Sequence, residues 1–329
     1  MGSTLQSTDA KNKLEDLSGI VIKPGENPYD ALIRACNGDP AEIQVLYSVH
    51  RVRRNEQQKE KFLAEDFKEL IVDPFLLRIE RPEIEPGFKD WRNCLVLWAR
   101  PPDHIIKLCV HLQVLLKKAA PHLWLMPPQR MHMTTLEITH SQTPETIYHI
   151  VTGPLRPVTP ILTNYTYKHR SRLVKPQLSY DLSAIAISFL PAAGEAVISP
   201  APVAPHPEDI PHPGLSADTD AYSYHHLRRD TFDYARCAGL EIESRYVTPS
   251  AHVTLGRFLG QEDHLTPEAR RKWVETIDGI NRWLASEVWD KHDAQFIGEW
   301  IVGQERGLEV RSGPLWYGGG KTVMAGEGF

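Results

Sequence analysis

Cysteine is scarce in this chain of 329 residues, and the four present, Cys36, Cys94, Cys109 and Cys237, are scattered with no Cys-x-x-Cys pair. That spacing suggests neither a disulfide framework nor a zinc site, and it suits reduced thiols in a reducing compartment. Long apolar runs are also missing, since none reaches the ~18 residues that a membrane span requires. The first residues, Met1 to Lys13, are polar and lack the apolar centre of a secretory signal. These absences predict a cytoplasmic or nuclear protein with no membrane partner. An excess of positive charge is absent too: the formal net charge is −5. A protein that coats nucleic acid depends on many cationic phosphate contacts, so bulk nucleic-acid binding is excluded, whereas a small nucleotide or an RNA terminus remains compatible.

What is present is enough apolar material, 41% of residues, to bury a sizeable core. Residues 1–25 read as a flexible lead-in. Asn27-Pro28 and Asp39-Pro40 then each place a capping residue before a proline, which predicts one helix ending at Gly38 and a second running from Asp39 to about Asp66. Arg51, Arg53, Arg54 and Lys59 give the second helix a basic side, read as a solvated face. Residues 67–90, interrupted by three prolines, read as a connecting arm.

From Asn93 to Ala99 the chain is short and apolar and stops at Pro101-Pro102, as a buried strand does. Asp103 opens a helix with Ile106, Val110, Val114 and Leu115 at helical spacing. Thr143-Pro144-Glu145 opens another, and strand-like runs follow around Ile161–Tyr167 and Leu178–Phe189. Residues 191–214 are rich in proline and alanine and read as a surface insertion. Beyond it come a helix over Thr219–Ala238, carrying His225-His226 on its surface, a strand over Leu240–Val247, and a helix from Thr266-Pro267-Glu268. The tail, Gln295–Val310 and Leu315–Val323, reads as a terminal hairpin.

Within this order one local pattern recurs. Histidine followed two places later by Ser or Thr occurs four times among fifteen histidines, so the spacing by itself decides little. Thr266, after His264, is better explained as a helix N-cap before Pro267, and His169-Arg170-Ser171 lies in a basic turn, Lys168 to Arg172. Only His132 with Thr134 and His252 with Thr254 sit inside alternating apolar strands. In a strand, residues two apart share a face, so each histidine is presented beside a hydroxyl while Met131, Met133, Val253 and Leu255 point to the other side. A group that titrates near neutral pH beside a hydroxyl, presented twice, suits acid–base chemistry on a phosphate. The elements around the two sites form a weak internal repeat, consistent with two α+β lobes related by a pseudo-twofold, each giving one histidine to a shared cleft.

The stretches Pro127-Pro128-Gln129-Arg130-Met131-His132-Met133-Thr134 and His252-Val253-Thr254-Leu255-Gly256-Arg257-Phe258 resemble the two motifs of the two-histidine (2H) phosphoesterase superfamily, which includes RNA 2′,3′-cyclic phosphodiesterase and RNA ligase-like proteins. The resemblance covers about residues 93–323. It implies an α+β, two-lobed, pseudo-twofold fold over residues 91–329, with antiparallel sheets facing a central cleft and helices outside; residues 1–90 form a lead-in and helical N-terminal extension.

The implied activity is hydrolysis of a 2′,3′-cyclic phosphate on an RNA end or a small nucleotide. His252 acts as base and His132 as acid, Thr134 and Thr254 donate to the phosphoryl oxygens, and neither metal nor cofactor takes part. Candidates for substrate contact are Arg130 and Arg257 on phosphate, because a guanidinium binds two phosphate oxygens at once, and Tyr165, Tyr246 and Trp124 as stacking platforms. Tyr167 is a further aromatic of this kind, and Lys168, Arg170 and Arg172 form a basic cluster read as a solvated loop. By strict alternation Arg257 falls on the face opposite Thr254. Two rival readings are a 3′ exonuclease of the same superfamily and a non-catalytic nucleotide-binding module built on the same cleft.

Overall fold

The computed structural model describes residues 16–23, 25–200 and 220–329. It is an α+β structure with two antiparallel sheets. The first has the order β3-β1-β8-β9, built from β1 (Asn93–Ala99), β3 (Met133–Gln142), β8 (Leu308–Gly313) and β9 (Lys321–Ala325). The second has the order β2-β6-β5-β4-β7, built from β2 (Trp124–Leu125), β4 (Arg172–Tyr180), β5 (Ala184–Pro191), β6 (Ala251–Arg257) and β7 (Trp300–Ile301). The run over 93–99 is the buried strand expected from its composition, and it lies inside the sheet with β3 on one side and β8 on the other. Among the described residues, no helix is long and apolar enough to cross a membrane.

Several helices start where capping chemistry places them. Asp39 accepts from the backbone N–H groups of Ala41 and Glu42 and opens α2 (Pro40–Leu63), and Thr143 and Thr266 do the same for α5 (Pro144–Thr152) and α9 (Pro267–Glu287). The preceding helix α1 (Asp30–Ala35) is only six residues long and has no side-chain cap, because the Asn27 side chain accepts from Tyr29 N–H before the helix begins. The arm over 67–90 holds a short helix, α3 (Pro74–Glu80), capped by Asp73. In α4 (Asp103–Ala119) the buried face is Ile105, Leu108, Cys109, Leu112 and Leu116, whereas Val110 and Val114 are exposed, so the core-facing stripe lies beside the expected one.

Other sequence expectations are corrected. Ile161–Tyr167 is helical, as α6 (Thr159–Thr163) and α7 (Tyr165–Lys168), its carbonyls being taken up by local bonds such as Thr163 Oγ1 to Thr159 O. Leu178–Phe189 is two strands, divided by a turn in which Asp181 accepts from Ser183 N–H, Ser183 Oγ and Ala184 N–H. Leu240–Val247 is not a strand: it runs beside β3 and is tied to it by Glu243 N–H to Ile138 O and by the Glu137 side chain, which accepts from Arg245 N–H. The tail divides, with β7 joining the second sheet and only β8 and β9 forming the hairpin.

Of the proline-rich segment, residues 201–214 lie outside the described residues, as do residues 1–15 and 24 of the lead-in and Thr219 of the expected helix, which begins at Tyr224 as α8 (Tyr224–Cys237). His225 and His226 on α8 are buried: His225 Nε2 donates to Tyr29 O and its Nδ1 accepts from the Tyr47 hydroxyl, and His226 closes a capping box with Ser223.

Helix α2 keeps Arg53 exposed, as expected, but turns Arg51 and Arg54 inward. Arg51 is 5% exposed and donates to the carbonyls of Lys175 and Ser188, and Arg54 donates to Asp181. Tyr29, Leu32, Ile43, Tyr47 and Phe62 of the N-terminal helical segment share one core with β1, β5 and β6. Arg172, expected in a basic loop, is buried and pairs with Asp220 at 2.6 Å and Glu299 at 2.9 Å while donating to Glu195 O, an arrangement that joins both ends of the insertion to β4.

Candidate active site

Alternation along β3 and β6 does what the sequence predicts. Met131 and Met133 are buried in the core, and His132 and Thr134 are half-buried on the opposite side; Ala251, Val253 and Leu255 are buried, and His252 and Thr254 are half-buried. The consequence is a meeting of the two motifs. His132, Thr134, His252 and Thr254 line one pocket of about 50 Å³, together with Trp98, Glu137, Arg245, Tyr246, Arg257 and Trp316. A larger cavity of about 420 Å³ adjoins it and shares Arg245, Tyr246, His252, Thr254 and Arg257.

Each imidazole is held by the residue two positions before it. His132 Nδ1 lies 2.8 Å from the carbonyl of Arg130, and because a carbonyl only accepts, Nδ1 carries the proton and donates. Nε2 is left with its lone pair. The carbonyl is fixed by the turn around it: Gly318, at φ +73°, packs so closely on Arg130 that a Cβ there would stand 2.6 Å from this oxygen. The His132 ring also stacks on Trp98, with centroids 3.7 Å apart. On the other side Ser250 Oγ lies 3.0 Å from His252 Nδ1, and Tyr246 stands with its ring centroid 6.3 Å from that imidazole. No hydrogen bond among the described residues engages the Thr134 or Thr254 hydroxyls, so both remain available to a ligand.

Both histidines are neutral in this cleft. Burial pushes His132 down to about 3, with Arg100, His252 and Arg311 adding to the effect and the Arg130 carbonyl opposing it. Burial likewise pushes His252 down to about 4, reinforced by Arg54, Arg228 and Arg257. Around the two imidazoles arginines outnumber carboxylates in a chain whose net charge is negative, Asp181 opposing the arginines at His252, and an anion entering the cleft favours the protonated imidazoles again.

Arg257 reaches the site through a backbone irregularity. Ala186 pairs with Thr254 but Ile185 pairs with Gly256, so Leu255 is an extra residue on β6. A bulge of this kind resets the alternation and brings Arg257 to the same side as His252 and Thr254. The adjoining Gly256 is needed for the close approach of β2, since a Cβ there would stand 2.6 Å from Trp124 O. Arg257 Nε is buried without a hydrogen-bond partner among the described residues, and the guanidinium lies over the Tyr317 ring.

Of the other sequence candidates, Tyr246 lines both cavities. Arg130 contributes its carbonyl, while its side chain is exposed and lines neither cavity. Trp124 packs edge-on against Tyr317 away from the pocket, and Tyr165 is spent in α7, its hydroxyl donating to Asp230 and its ring stacking on His169. Lys168, Arg170 and Tyr167 also line neither cavity.

Residues that sequence reasoning passed over include Trp98, Trp316 and Ser250, and two arginines. Arg245 forms a close ion pair with Glu137 and stacks over Trp316; Arg54 reaches in from α2. Ser250 was legible in principle, since it stands at the same offset from His252 as Arg130 does from His132. No family model matches this chain, and no curated protein matches it either.

Proposed function

We propose that the protein is a metal-independent cyclic phosphodiesterase that hydrolyses 2′,3′-cyclic phosphates of RNA ends or small nucleotides by two-histidine acid–base catalysis. On this reading the two sheets belong to two lobes related by a pseudo-twofold, and the pocket between the motifs is the active site. The observation that carries it is the lining of one small pocket by two neutral imidazoles and two unengaged threonine hydroxyls, with the incompletely bonded Arg257 beside them.

The chemistry follows from what each group can do. The phosphoryl oxygens accept from Thr134 Oγ1, Thr254 Oγ1 and the Arg257 guanidinium, which concentrates positive charge where negative charge develops. With Nδ1 donating to Ser250, His252 Nε2 takes a proton from water. The hydroxide oxygen bonds to phosphorus, and the bond from phosphorus to one ribose oxygen breaks. His132, protonated at both nitrogens once the anion is bound and steadied by the Arg130 carbonyl, gives its Nε2 proton to the departing oxygen. The product is a phosphomonoester, and the proton taken from water restores the acid after release.

Purified protein in EDTA, assayed against 2′,3′-cyclic nucleotides and a short RNA ending in a cyclic phosphate, tests the proposal. Turnover is expected to fall about 10²- to 10⁴-fold in His132→Ala and in His252→Ala. Absence of activity, or its survival in both variants, overturns the reading; nucleotide binding without turnover would favour a binding module.

A further inference from the structure

The larger cavity extends the site toward a helix that lies outside the two-motif resemblance. Tyr47, His50, Arg51 and Arg54 of α2 line it, and their spacing of three and four residues places them on one helical face. That face looks across at Ala184, Ala186 and Ser188, alternate residues of β5 whose small side chains leave the sheet side of the cavity flat. At about 420 Å³ the space is in the range of pockets that hold a small molecule.

Four arginines, Arg51, Arg54, Arg245 and Arg257, line it, more than one cyclic phosphate engages. A cyclic diester carries a single negative charge, and Arg257, which lines both cavities, stands beside the reacting group. Arg245 is paired with Glu137, and Arg51 is bound to two carbonyls. Arg54 is different. It too is ion-paired, but among the described residues that contact, from Nη2 to Asp181 Oδ2 at 2.8 Å, is its one hydrogen bond, and Asp181 Oδ1 is already occupied by the β4–β5 turn. The pair is held on α2 at one end and on that turn at the other. Among the described residues the guanidinium's other donors are unengaged, and they lie on the wall of the larger cavity only. It also lies near enough to His252 to depress the basicity of that imidazole.

We infer, resting on the proposed phosphodiesterase reading, that the larger cavity seats the nucleoside and a second phosphoryl group on its 5′ side, with Arg54 as the residue that binds this group. The ribose carries its cyclic phosphate on the 2′ and 3′ oxygens, so the 5′ oxygen is the remaining position for a phosphoryl group. Such a group has two sources, a terminal 5′-phosphate on a mononucleotide and the phosphodiester that continues an RNA strand. The oxygen acceptors are the same in both.

Three substrates separate the possibilities: a 2′,3′-cyclic nucleoside phosphate with a free 5′ hydroxyl, the same compound bearing a 5′-phosphate, and a dinucleotide ending in a cyclic phosphate. In the wild-type chain KM is expected to be about ten- to hundredfold lower for at least one of the 5′-phosphorylated compounds, the range of a charge-assisted contact. Whichever compound is preferred identifies the source. In Arg54→Ala and Arg54→Gln the ratio of kcat/KM between substrates is expected to collapse toward one.

Equal KM values in the wild type, or a ratio that survives both substitutions, overturn the inference. A uniform loss on all three compounds with the ratio intact marks a merely structural arginine and overturns it too. Turnover without a 5′ preference leaves the phosphodiesterase reading standing, whereas no turnover of any of the three removes both.

Discussion

The imidazole of His132 and the indole of Trp98 lie nearly parallel, inclined by 16° with centroids 3.7 Å apart, and the strand register that places Trp98 opposite Thr134 brings the same indole to both halves of the first motif. Trp98 is itself fixed. It is fully buried, and the guanidinium groups of Arg100 and Arg311 lie over it at 4.9 and 5.2 Å.

An imidazole held by one hydrogen bond and one stacked face has little rotational freedom, which is what positioned proton transfer requires. Trp98→Leu is therefore expected to lower kcat about 10- to 100-fold with a smaller change in KM, since the substrate-binding groups are untouched. Removing the indole also costs stability, about 2–4 kcal/mol, so kcat is to be measured well below the melting temperature. Trp98→Phe keeps an aromatic face and should fall between the two. Wild-type kcat in Trp98→Leu would show that stacking does not position His132.

The pH dependence follows from the depressed basicity of the pair. The free enzyme needs one imidazole protonated and one neutral, and burial moves His132 to about 3 and His252 to about 4. Above the higher of these values the competent form is lost with each further rise in pH, so kcat/KM for the cyclic substrate is expected to decline from pH 5 to pH 8. A bound phosphate anion favours the imidazolium and raises both values, so the bell for kcat should lie at higher pH than that for kcat/KM. A kcat/KM that is flat or rising over this range contradicts the assignment.

The part of the site that was legible in the sequence is the part set by strand alternation. His132 with Thr134 and His252 with Thr254 could be read from period-two patterning because each pair lies in a regular stretch between apolar neighbours. Arg257 lies only three residues beyond Thr254, but the extra residue at Leu255 inverts its face, and nothing in the residue types announces a bulge there.

Arg54 was hidden for another reason. A helix with five cations looks solvated until its partner is known, and that partner, Asp181, is 127 residues away in the chain. The error over Leu240–Val247 is of the same kind. Its residues favour a strand, yet Glu137 answers both the Arg245 backbone N–H and its guanidinium, so side-chain bonds replace a ladder. Local preference fixed where three of the helices begin, through Asp39, Thr143 and Thr266, because a cap needs only its own next three residues.

One of the histidines set aside in sorting the motif gives a prediction about stability. Thr266 does cap α9, as its position before Pro267 suggested, and this leaves His264 as a buried ring among Phe62, Phe258 and Trp273. Its Nε2 is buried without a partner among the described residues, and burial pushes the imidazole down to about 4. The unfolded chain takes up a proton near pH 6.5, where the folded chain does not. A depressed histidine therefore costs nothing above that value, and stability is lost progressively as pH falls from about 6.5 toward 4.

His50, also lowered to about 4 by burial, adds to the same loss, and the depressed carboxylate of Glu195, at about 2, begins to withdraw its own contribution as pH falls through the ordinary carboxylate value of 4.5. Replacing His264 by Leu removes one titrating group while keeping an apolar side chain in the aromatic pocket. Urea unfolding of His264→Leu is expected to match the wild type within about 1 kcal/mol at pH 7 and to exceed it by on the order of 1–2 kcal/mol at pH 5. The test is the difference between the two pH values rather than either alone, because altered packing shifts both equally. A variant whose stability falls between pH 7 and pH 5 as steeply as the wild type would show that His264 does not titrate in this window.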